Sequence, residues 1–253
     1  MACYARSWLC GDCDLPIGRG LHPNGWSAAI TGSVSLKGPL PTLIVFARTP
    51  VPGAVKTRFT PPCTPEQAAK LASLITRHSV RQAARYWPGT LRVAVWPNPR
   101  HRVFQDLEGE LGIPVELQSA GDLGDKMLHA LKAETARGAP AAVIGTDVPH
   151  CPPALIERTY RLLRAGHDVL GPSHDGGYYL IGLQHATREL FCDVTWGSDQ
   201  LCAITRSRAA ALGIEFQLLD ALVDLDTWAD LVRVKDAFPL ADQWIKDLGL
   251  TPD

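Results

Sequence analysis

Short apolar runs alternate with longer amphipathic stretches from Thr42 onward, and this alternation predicts strand–helix–strand units on a mostly parallel sheet. The apolar runs predict strands at residues 42–47, 91–96, 114–117, 141–145, 168–171, 178–183 and 215–218. The amphipathic stretches predict helices opening at residue 64, spanning 153–165 and 198–212, and beginning near residue 227. The expected fold class is therefore α/β.

The first of these helices has the clearest start signal. Thr64 suits the N-cap, Pro65 the first helical position, and Gln67 the third position, from which its side chain can return to the cap. The inner face of the helix is then expected to continue through Leu71, Leu74, Ile75 and His78.

The chain divides into two parts that differ in pattern. Residues 1–41 carry Gly, Pro, Cys and Trp without helical or strand periodicity, and we expect an irregular N-terminal extension there. Residues 42–253 are expected to form one domain, because 253 residues is near the upper end of what a single α/β domain uses. With 46% hydrophobic and 20% charged residues, the chain can bury a large core.

Charge and cysteine content disfavour several classes of protein. The formal net charge is −1 and no Lys/Arg stripe is visible, so nucleic acid is not an expected partner. No apolar run approaches the ~20 residues of a membrane span, and the N-terminus lacks the pattern of a signal peptide. Seven cysteines, an odd number, favour reduced thiols and a cytoplasmic location.

A basic loop directly follows the first predicted strand. It runs from Arg48 to Arg58, contains two prolines and one glycine, Gly53, and carries a third cation, Lys56. Lys as a point charge and Arg as a bidentate fork suit the diphosphate or triphosphate of a nucleotide. The segment lacks the G-x-x-x-x-G-K pattern of a Walker loop, and a solvated basic loop is the alternative. Its position after the first strand favours phosphate binding.

A single carboxylate stands at the tip of the fourth predicted strand. Asp147 follows the apolar run that ends at Gly145, with Thr146 before it and Pro149 after it. Mg²⁺ binds one or two carboxylates together with phosphate oxygens and water. The alternative role, capping of the next helix, would require a residue closer to that helix. The pattern therefore favours Asp147 as a ligand of Mg²⁺ or Mn²⁺, with Thr146 beside the nucleotide.

Two further acidic segments lie near predicted strand or helix ends. Asp175, Gly176 and Gly177 provide a backbone that can approach a ligand closely, although the same residues are also typical of a hairpin turn. Asp224 and Asp226 precede the last helix. We expect Asp226 to cap that helix, which leaves Asp224 as a candidate second metal ligand.

The segment 119–127 joins the third predicted strand to a helix. Gly121 and Asp122 are candidates for contact with the base or ribose of a nucleotide, and Asp122 is equally suited to cap the helix. Cys3, Cys10 and Cys13 are spaced too irregularly for a structural zinc site. No G-x-G-x-x-G motif follows a strand, which disfavours a dinucleotide-dependent dehydrogenase.

Five segments together resemble one protein family. They are F-A-R-T-P-V-P-G-A-V-K-T-R-F, G-D-L-G-D-K-M, I-G-T-D-V-P, L-G-P-S-H-D-G-G-Y-Y-L-I-G-L and D-L-D-T-W-A-D-L, in this order between about residues 42 and 238. The sequence resembles the bacterial GT-A-like glycosyltransferase family of formerly unknown function (DUF2064 type), in the nucleotide-diphospho-sugar transferase superfamily. This resemblance implies a Rossmann-like αβα sandwich of the GT-A fold, with one nucleotide site and a divalent metal.

The resemblance also implies roles for individual residues. In the superfamily, a strand-end Asp and the first Asp of a D-x-D-T-x-x-D-L segment bind the metal, and these correspond to Asp147 and Asp224. The basic loop is similar to the P-x-x-x-x-K-T-R-L segment of phospholactate guanylyltransferases, which faces the triphosphate, and its cations correspond to Lys56 and Arg58. The sequence departs from many glycosyltransferases in having one Asp at residue 147 rather than a D-x-D pair.

Two reactions are compatible with these residues. In glycosyl transfer, the donor is a nucleotide-diphosphate sugar, a small-molecule acceptor attacks the anomeric carbon, and Asp175 is the candidate base. In nucleotidyl transfer, an acceptor phosphate attacks a nucleoside triphosphate, and Lys56 and Arg58 hold the departing pyrophosphate. The family grouping favours glycosyl transfer, which is the primary expectation, and the local residues favour nucleotidyl transfer. A non-catalytic nucleotide sensor is less compatible, because the acidic ligands are retained.

Overall fold

The computed structural model describes residues 38–248, which form a sheet with helices on both faces. The strands are β1 Thr42–Arg48, β2 Thr90–Trp96, β3 Val115–Leu117, β4 Ala141–Gly145, β5 Asp168–Pro172, β6 Tyr178–Leu183 and β7 Phe216–Leu218. The helices are α1 Pro65–Tyr86, α2 Arg102–Leu111, α3 Leu123–Thr135, α4 Pro153–Arg164, α5 Leu201–Ala211, α6 Trp228–Val234 and α7 Pro239–Asp247.

The seven strands are arranged in the order β3-β2-β1-β4-β6-β5-β7. Every neighbouring pair is parallel except the two pairs that include β6, which is antiparallel to β4 and to β5. The α/β class and the mostly parallel sheet predicted from the sequence are confirmed, and each predicted strand end lies within one residue of the observed one. The carboxyl ends of β1, β2, β4, β5 and β7 consequently meet at one edge.

Alternating side chains of β1 show how both faces of the sheet are buried. Leu43 and Val45 pack with α1, α2 and α4 on one face, whereas Ile44 and Phe46 pack with α3 and α5 on the other. Because successive side chains of a strand point to opposite faces, a strand covered on both sides becomes a continuous apolar run. This explains why residues 42–47 show no alternation of apolar and polar positions.

The predicted start of α1 is confirmed in its atomic contacts. The Gln67 N–H donates to Thr64 Oγ1 (3.3 Å), and the Thr64 N–H donates to Gln67 Oε1 (2.7 Å). The predicted helix 198–212 is shorter than expected, because the turn at residues 198–200 precedes its first helical residue, Leu201. Helices α2 and α7 were not predicted.

The predicted extension at residues 1–41, with its three cysteines, lies outside the described residues except for residues 38–41. Within the described range, no helix combines the length and apolar character needed to cross a membrane. Cys63, Cys151, Cys192 and Cys202 are free thiols. This is compatible with the predicted reducing location, which stays a prediction.

Candidate active site

An open cleft of about 660 Å³ lies at the edge of the sheet where the parallel strands end. Its walls come from the ends of β1, β2 and β4, the start of β6, the loop after β1, and helix α3. Six of the residues predicted from the sequence line it, namely Arg48, Lys56, Arg58, Thr146, Asp147 and Asp224. Ligands of open α/β sheets bind at this edge, so the location agrees with a binding site.

Six other predicted residues do not line the cleft: Gly53, Gly121, Asp122, Asp175, Gly176 and Gly177. For Asp122 the helix-capping alternative is confirmed. Its carboxylate accepts the Asp125 N–H (2.9 Å), and Asp125 in turn accepts the Asp122 N–H (3.3 Å). This reciprocal capping box turns the Asp122 carboxylate toward the start of α3.

The loop after β1 is anchored by an apolar residue, and this anchor fixes its cations. Phe59 is fully buried at the end of a short 3-10 turn, where it belongs to a cluster that includes Leu71 and Ile75 of α1. Lys56 precedes that turn in the left-handed region (φ 48°), and its side chain is only 8% exposed. The ammonium donates to Asp147 Oδ1 (2.6 Å) and to the Leu225 carbonyl.

The segment after β7 delivers two more carboxylates to the same place. Leu222 pairs with Ser173 at the end of β5, and the Leu225 N–H donates to the Asp147 carbonyl (2.8 Å). Leu225 is fully buried. Side chains of an extended segment alternate in direction, so Asp224 and Asp226, on either side of Leu225, both face the cleft.

The prediction that Asp226 caps the last helix is wrong. The N-cap of α6 is Thr227, whose hydroxyl accepts the Asp230 N–H (3.2 Å) while the Asp230 carboxylate accepts the Thr227 N–H (2.8 Å). The reason is the T-x-x-D spacing, which forms a capping box one residue later than expected. Asp226 is therefore available to the site, where its carboxylate lies 3.3 Å from Arg58 Nη1 and 3.7 Å from Lys56 Nζ.

The carboxylates of the cleft repel one another. The pKa of Asp224 is raised to about 7, first by burial and then by the negative charges of Asp175, Asp147 and Asp226, while a hydrogen bond from the Ser173 hydroxyl opposes the rise. Burial also raises the pKa of Asp226, against the opposing effect of Lys56. A carboxyl whose pKa is raised by burial and by like charges gains from a cation placed beside it.

The donor atoms fit a divalent cation that arrives together with phosphate. Within residues 38–248, no three Asp, Glu, His or Cys side chains are arranged to enclose a metal ion. Asp147 and Asp224 nevertheless both line the cleft, and they lie close enough for the charge of Asp147 to raise the pKa of Asp224. Mg²⁺ commonly binds through one or two carboxylates plus the phosphates of its substrate. The two residues are thus suited to a metal–nucleotide complex rather than to a free ion.

The opposite end of the cleft contains Trp96 and Gln118, which were not predicted as site residues, together with Lys126 of the predicted segment 119–127. Trp96 is the last residue of β2, and the ammonium of Lys126 lies 4.0 Å from the centre of its ring. Gln118 follows β3, and its side-chain amide donates to the Ala94 carbonyl (3.0 Å). The available signal was positional, since Trp96 and Gln118 stand at strand ends on the same sheet edge as Asp147.

The glycine-rich segment after β5 is a hairpin turn, as the alternative interpretation predicts. The Ser173 N–H donates to the Gly177 carbonyl (2.9 Å), and the Gly177 N–H donates to Asp175 Oδ1 (3.0 Å). The charge of Asp175 nevertheless contributes to the raised pKa of Asp224, so this exposed carboxylate lies near the acidic wall of the cleft.

Gly176→Ala is expected to lower the free energy of unfolding by about 2–4 kcal/mol, in the range of a backbone clash combined with strain. Gly176 has φ +90°, and a Cβ there would lie 1.8 Å from the Asp199 carbonyl oxygen. Gly197→Ala is the matched control, because Gly197 has φ +82° but no heavy atom within 4 Å of an added Cβ. Urea denaturation measures the free energy of unfolding of both variants. It separates the clash, present only in Gly176→Ala, from the backbone strain, present in both. Equal losses of unfolding free energy in the two variants would show that the clash with the Asp199 carbonyl contributes nothing.

The fold is that of nucleotidyl and nucleotide-sugar transferases. Residues 79–198 match the model of a family described as "Uncharacterized protein conserved in bacteria (DUF2064)". This match confirms the family resemblance for the three segments inside the matched range, at residues 121–127, 144–149 and 170–183. A search of curated proteins finds no significant match.

Three solved structures illustrate the fold similarity. A proposed nucleotide-diphospho-sugar transferase from Desulfovibrio desulfuricans G20 is 24% identical, covers 82% of this chain and 97% of its own, and has a TM-score of 0.71. The 4-diphosphocytidyl-2C-methyl-D-erythritol synthase of Anaerococcus prevotii DSM 20548 is 8% identical over 83% of this chain and 98% of its own, with a TM-score of 0.52. A cytidylyltransferase from Leptospira borgpetersenii is 13% identical over 83% and 94%, with a TM-score of 0.51. These similarities establish the fold alone.

Proposed function

We propose that this chain is a metal-dependent transferase that binds a nucleotide-diphosphate sugar in the cleft and transfers the sugar to a small-molecule acceptor. One observation carries the proposal. The loop after β1 brings Lys56 and Arg58 against the carboxylates of Asp147 and Asp226, with Asp224 on the same wall. Cations and candidate metal ligands thus converge at one point of the sheet edge, as recognition of a metal-bound diphosphate requires.

The two ends of the cleft differ in chemistry, and this difference supports an orientation for the donor. The Lys126 ammonium covers one face of the Trp96 ring at one end of the cleft, and the other face suits stacking of a nucleobase. Arg48, Thr146 and Asp147 follow at the ends of β1 and β4. We place the nucleoside near Trp96 and the diphosphate between Arg58 and Asp147.

The residues around the diphosphate would act by electrostatic stabilisation. Asp147 and Asp224 would hold Mg²⁺ or Mn²⁺, which, when bound, neutralises the charge that develops on a leaving diphosphate. The Arg58 side chain is 73% exposed at the mouth of the cleft, so its guanidinium can turn from Asp226 to a phosphate oxygen. Fixed charges aimed at developing charge are commonly the largest contribution to catalysis.

The acidic wall favours an uncharged acceptor. Asp224 and Asp226 line the cleft, and the charge of the nearby Asp175 helps to raise the pKa of both. A phosphorylated acceptor would be repelled there, whereas a hydroxyl group could donate its hydrogen to a carboxylate. We assign Asp175 as the group that orients or deprotonates such an acceptor.

Nucleotidyl transfer is the second candidate, and the basic loop favours it. Two cations two residues apart on a rigid loop, Lys56 and Arg58, suit a departing pyrophosphate. In that reaction the donor is a nucleoside triphosphate and the acceptor a phosphorylated small molecule.

A thermal-shift screen with Mn²⁺ or Mg²⁺ is expected to show the largest stabilisation with a nucleotide-diphosphate sugar. At a ligand concentration 100 times Kd, linkage adds about 2.7 kcal/mol to the free energy of unfolding. For a domain of this size that corresponds to a rise in Tm of about 5–10 °C. Nucleoside triphosphates and the metals alone serve as comparisons, and greater stabilisation by a triphosphate would favour nucleotidyl transfer.

The released product distinguishes the two reactions directly. Glycosyl transfer releases a nucleoside diphosphate, and nucleotidyl transfer releases pyrophosphate. Phosphorus NMR of the reaction mixture separates the two products. Absence of stabilisation by every nucleotide in the presence of metal would count against both.

A further inference from the structure

Lys56 is a nearly enclosed cation of the cleft. Its Nζ lies 2.6 Å from Asp147 Oδ1 and 3.7 Å from Asp226 Oδ1, and it donates a second hydrogen bond to the Leu225 carbonyl. The side chain is 8% exposed, compared with 73% for Arg58 on the same loop. The ammonium is therefore the main internal counter-ion of these carboxylates.

The acceptors around this ammonium are fixed by the backbone. The Leu225 N–H donates to the Asp147 carbonyl (2.8 Å), so the segment that carries the Leu225 carbonyl is tied to the residue that carries the Asp147 carboxylate. The backbone of Lys56 is held as well, because the Phe59 N–H donates to the Lys56 carbonyl (3.0 Å) and Phe59 is buried. Only the four-carbon stem of the lysine can move freely.

The same carboxylate cannot serve the ammonium and a divalent cation equally well. Metal held by Asp147 and Asp224 would bring two positive charges close to Nζ, where water screens them poorly. The ammonium also occupies acceptor sites of the Asp147 oxygen that coordination would use.

We propose that Lys56 competes with the metal for Asp147 and is released toward the diphosphate when a metal–nucleotide complex enters. The proposal rests on the function proposed above, in which Asp147 and Asp224 bind the metal. Under this proposal, metal without nucleotide binds weakly because it must displace the ammonium. Diphosphate strengthens metal binding because it gives the displaced ammonium a new partner. Lys56 is in this sense a positioning residue that couples the two ligands.

The competition is tested by the affinity for Mn²⁺ alone, measured by electron paramagnetic resonance. Lys56→Met removes the ammonium and keeps much of the apolar stem, and we expect it to bind Mn²⁺ about tenfold more tightly than the unmodified protein. Arg58→Gln is the matched control, since it removes a positive charge that contacts Asp226 but does not contact Asp147. It should change the Mn²⁺ affinity by about twofold at most.

A second readout follows Lys56 in the unmodified protein by amine labelling and mass spectrometry. Saturating Mn²⁺ is expected to increase labelling of Lys56, while labelling of Lys70, on the exposed side of α1, stays constant. Asp147→Ala, which removes the side-chain acceptor altogether, provides the reference for a lysine that has lost this partner. This measurement remains informative if Lys56→Met does not fold.

Tighter Mn²⁺ binding by Lys56→Met, or Mn²⁺-induced labelling of Lys56, supports the competition. Equal or weaker binding by the variant, together with unchanged labelling, overturns it. If the unmodified protein then still binds Mn²⁺ in a manner that Asp147→Asn abolishes, the proposed metal site survives and only the competition is wrong. If neither protein binds Mn²⁺ and no nucleotide stabilises the chain in the thermal-shift screen, the proposed function fails as well.

Discussion

Asp147→Asn is expected to lower turnover at least about 10³-fold, the scale associated with loss of a group that stabilises transition-state charge. Asp147 stands at the tip of β4, with its carboxylate 49% exposed to the cleft. Asn keeps the shape and one oxygen acceptor for Lys56 but removes the negative charge that a metal requires. Steady-state kinetics with the donor found in the thermal-shift screen measures the loss.

The fold should survive this substitution. Asp147→Asn keeps the backbone carbonyl that accepts the Leu225 N–H, and Asp226 remains within 3.7 Å of Lys56 Nζ. Asp220→Asn is the matched control, because Asp220 is 80% exposed and lies outside the residues that line the cleft. A folded Asp147→Asn protein with the turnover of the Asp220→Asn control would exclude Asp147 from the reaction.

The sheet could be predicted because its strands are buried on both faces. Residues 141–145 form a run of small and apolar side chains, and β4 has those bounds in the structure. Helix α1 could be placed because Thr64 and Gln67 form a local capping box. Local signals of this kind are present in the sequence, whereas the order β3-β2-β1-β4-β6-β5-β7 depends on contacts between distant segments. The reversed direction of β6 has no such local signal except the hairpin turn before it.

The candidate site was only partly predictable, for the same physical reason. Asp147 was identifiable because an apolar strand ends directly before it. Asp226 was misassigned to capping, although the T-x-x-D spacing that begins at Thr227 was a readable signal for the cap. The contact between Lys56 and Asp147 joins residues 91 positions apart, and nothing in either segment indicates it. Trp96 was missed because a single aromatic residue at a strand end is typical of an ordinary surface.

Asp224→Asn is expected to abolish metal-dependent activity and to stabilise the metal-free protein at pH 8. In the unmodified protein, burial and the nearby carboxylates raise the pKa of Asp224 to about 7, so the ionised form is costly at pH 8. Asn removes that charge. A gain on the order of 2 kcal/mol would raise Tm by about 4–8 °C, measured by calorimetry with a chelator present.

The pH dependence of this gain follows from the sign of the pKa shift. In the unfolded chain Asp224 ionises near its usual pKa of about 4, whereas in the folded protein it ionises only near 7. Between these values the folded state holds the proton more tightly, so the stability that Asp224 contributes falls as pH rises toward 7. The advantage of Asn should therefore be complete above about pH 7 and disappear toward pH 4, while the exposed Asp220→Asn control shows no comparable trend. A gain in Tm that is equal at pH 4.5 and pH 8 would contradict this account and would mean that the charge of Asp224 is not what limits stability. If Asp224→Asn gains stability and loses activity, Asp224 is a carboxylate that lowers stability and is kept for the cation it binds.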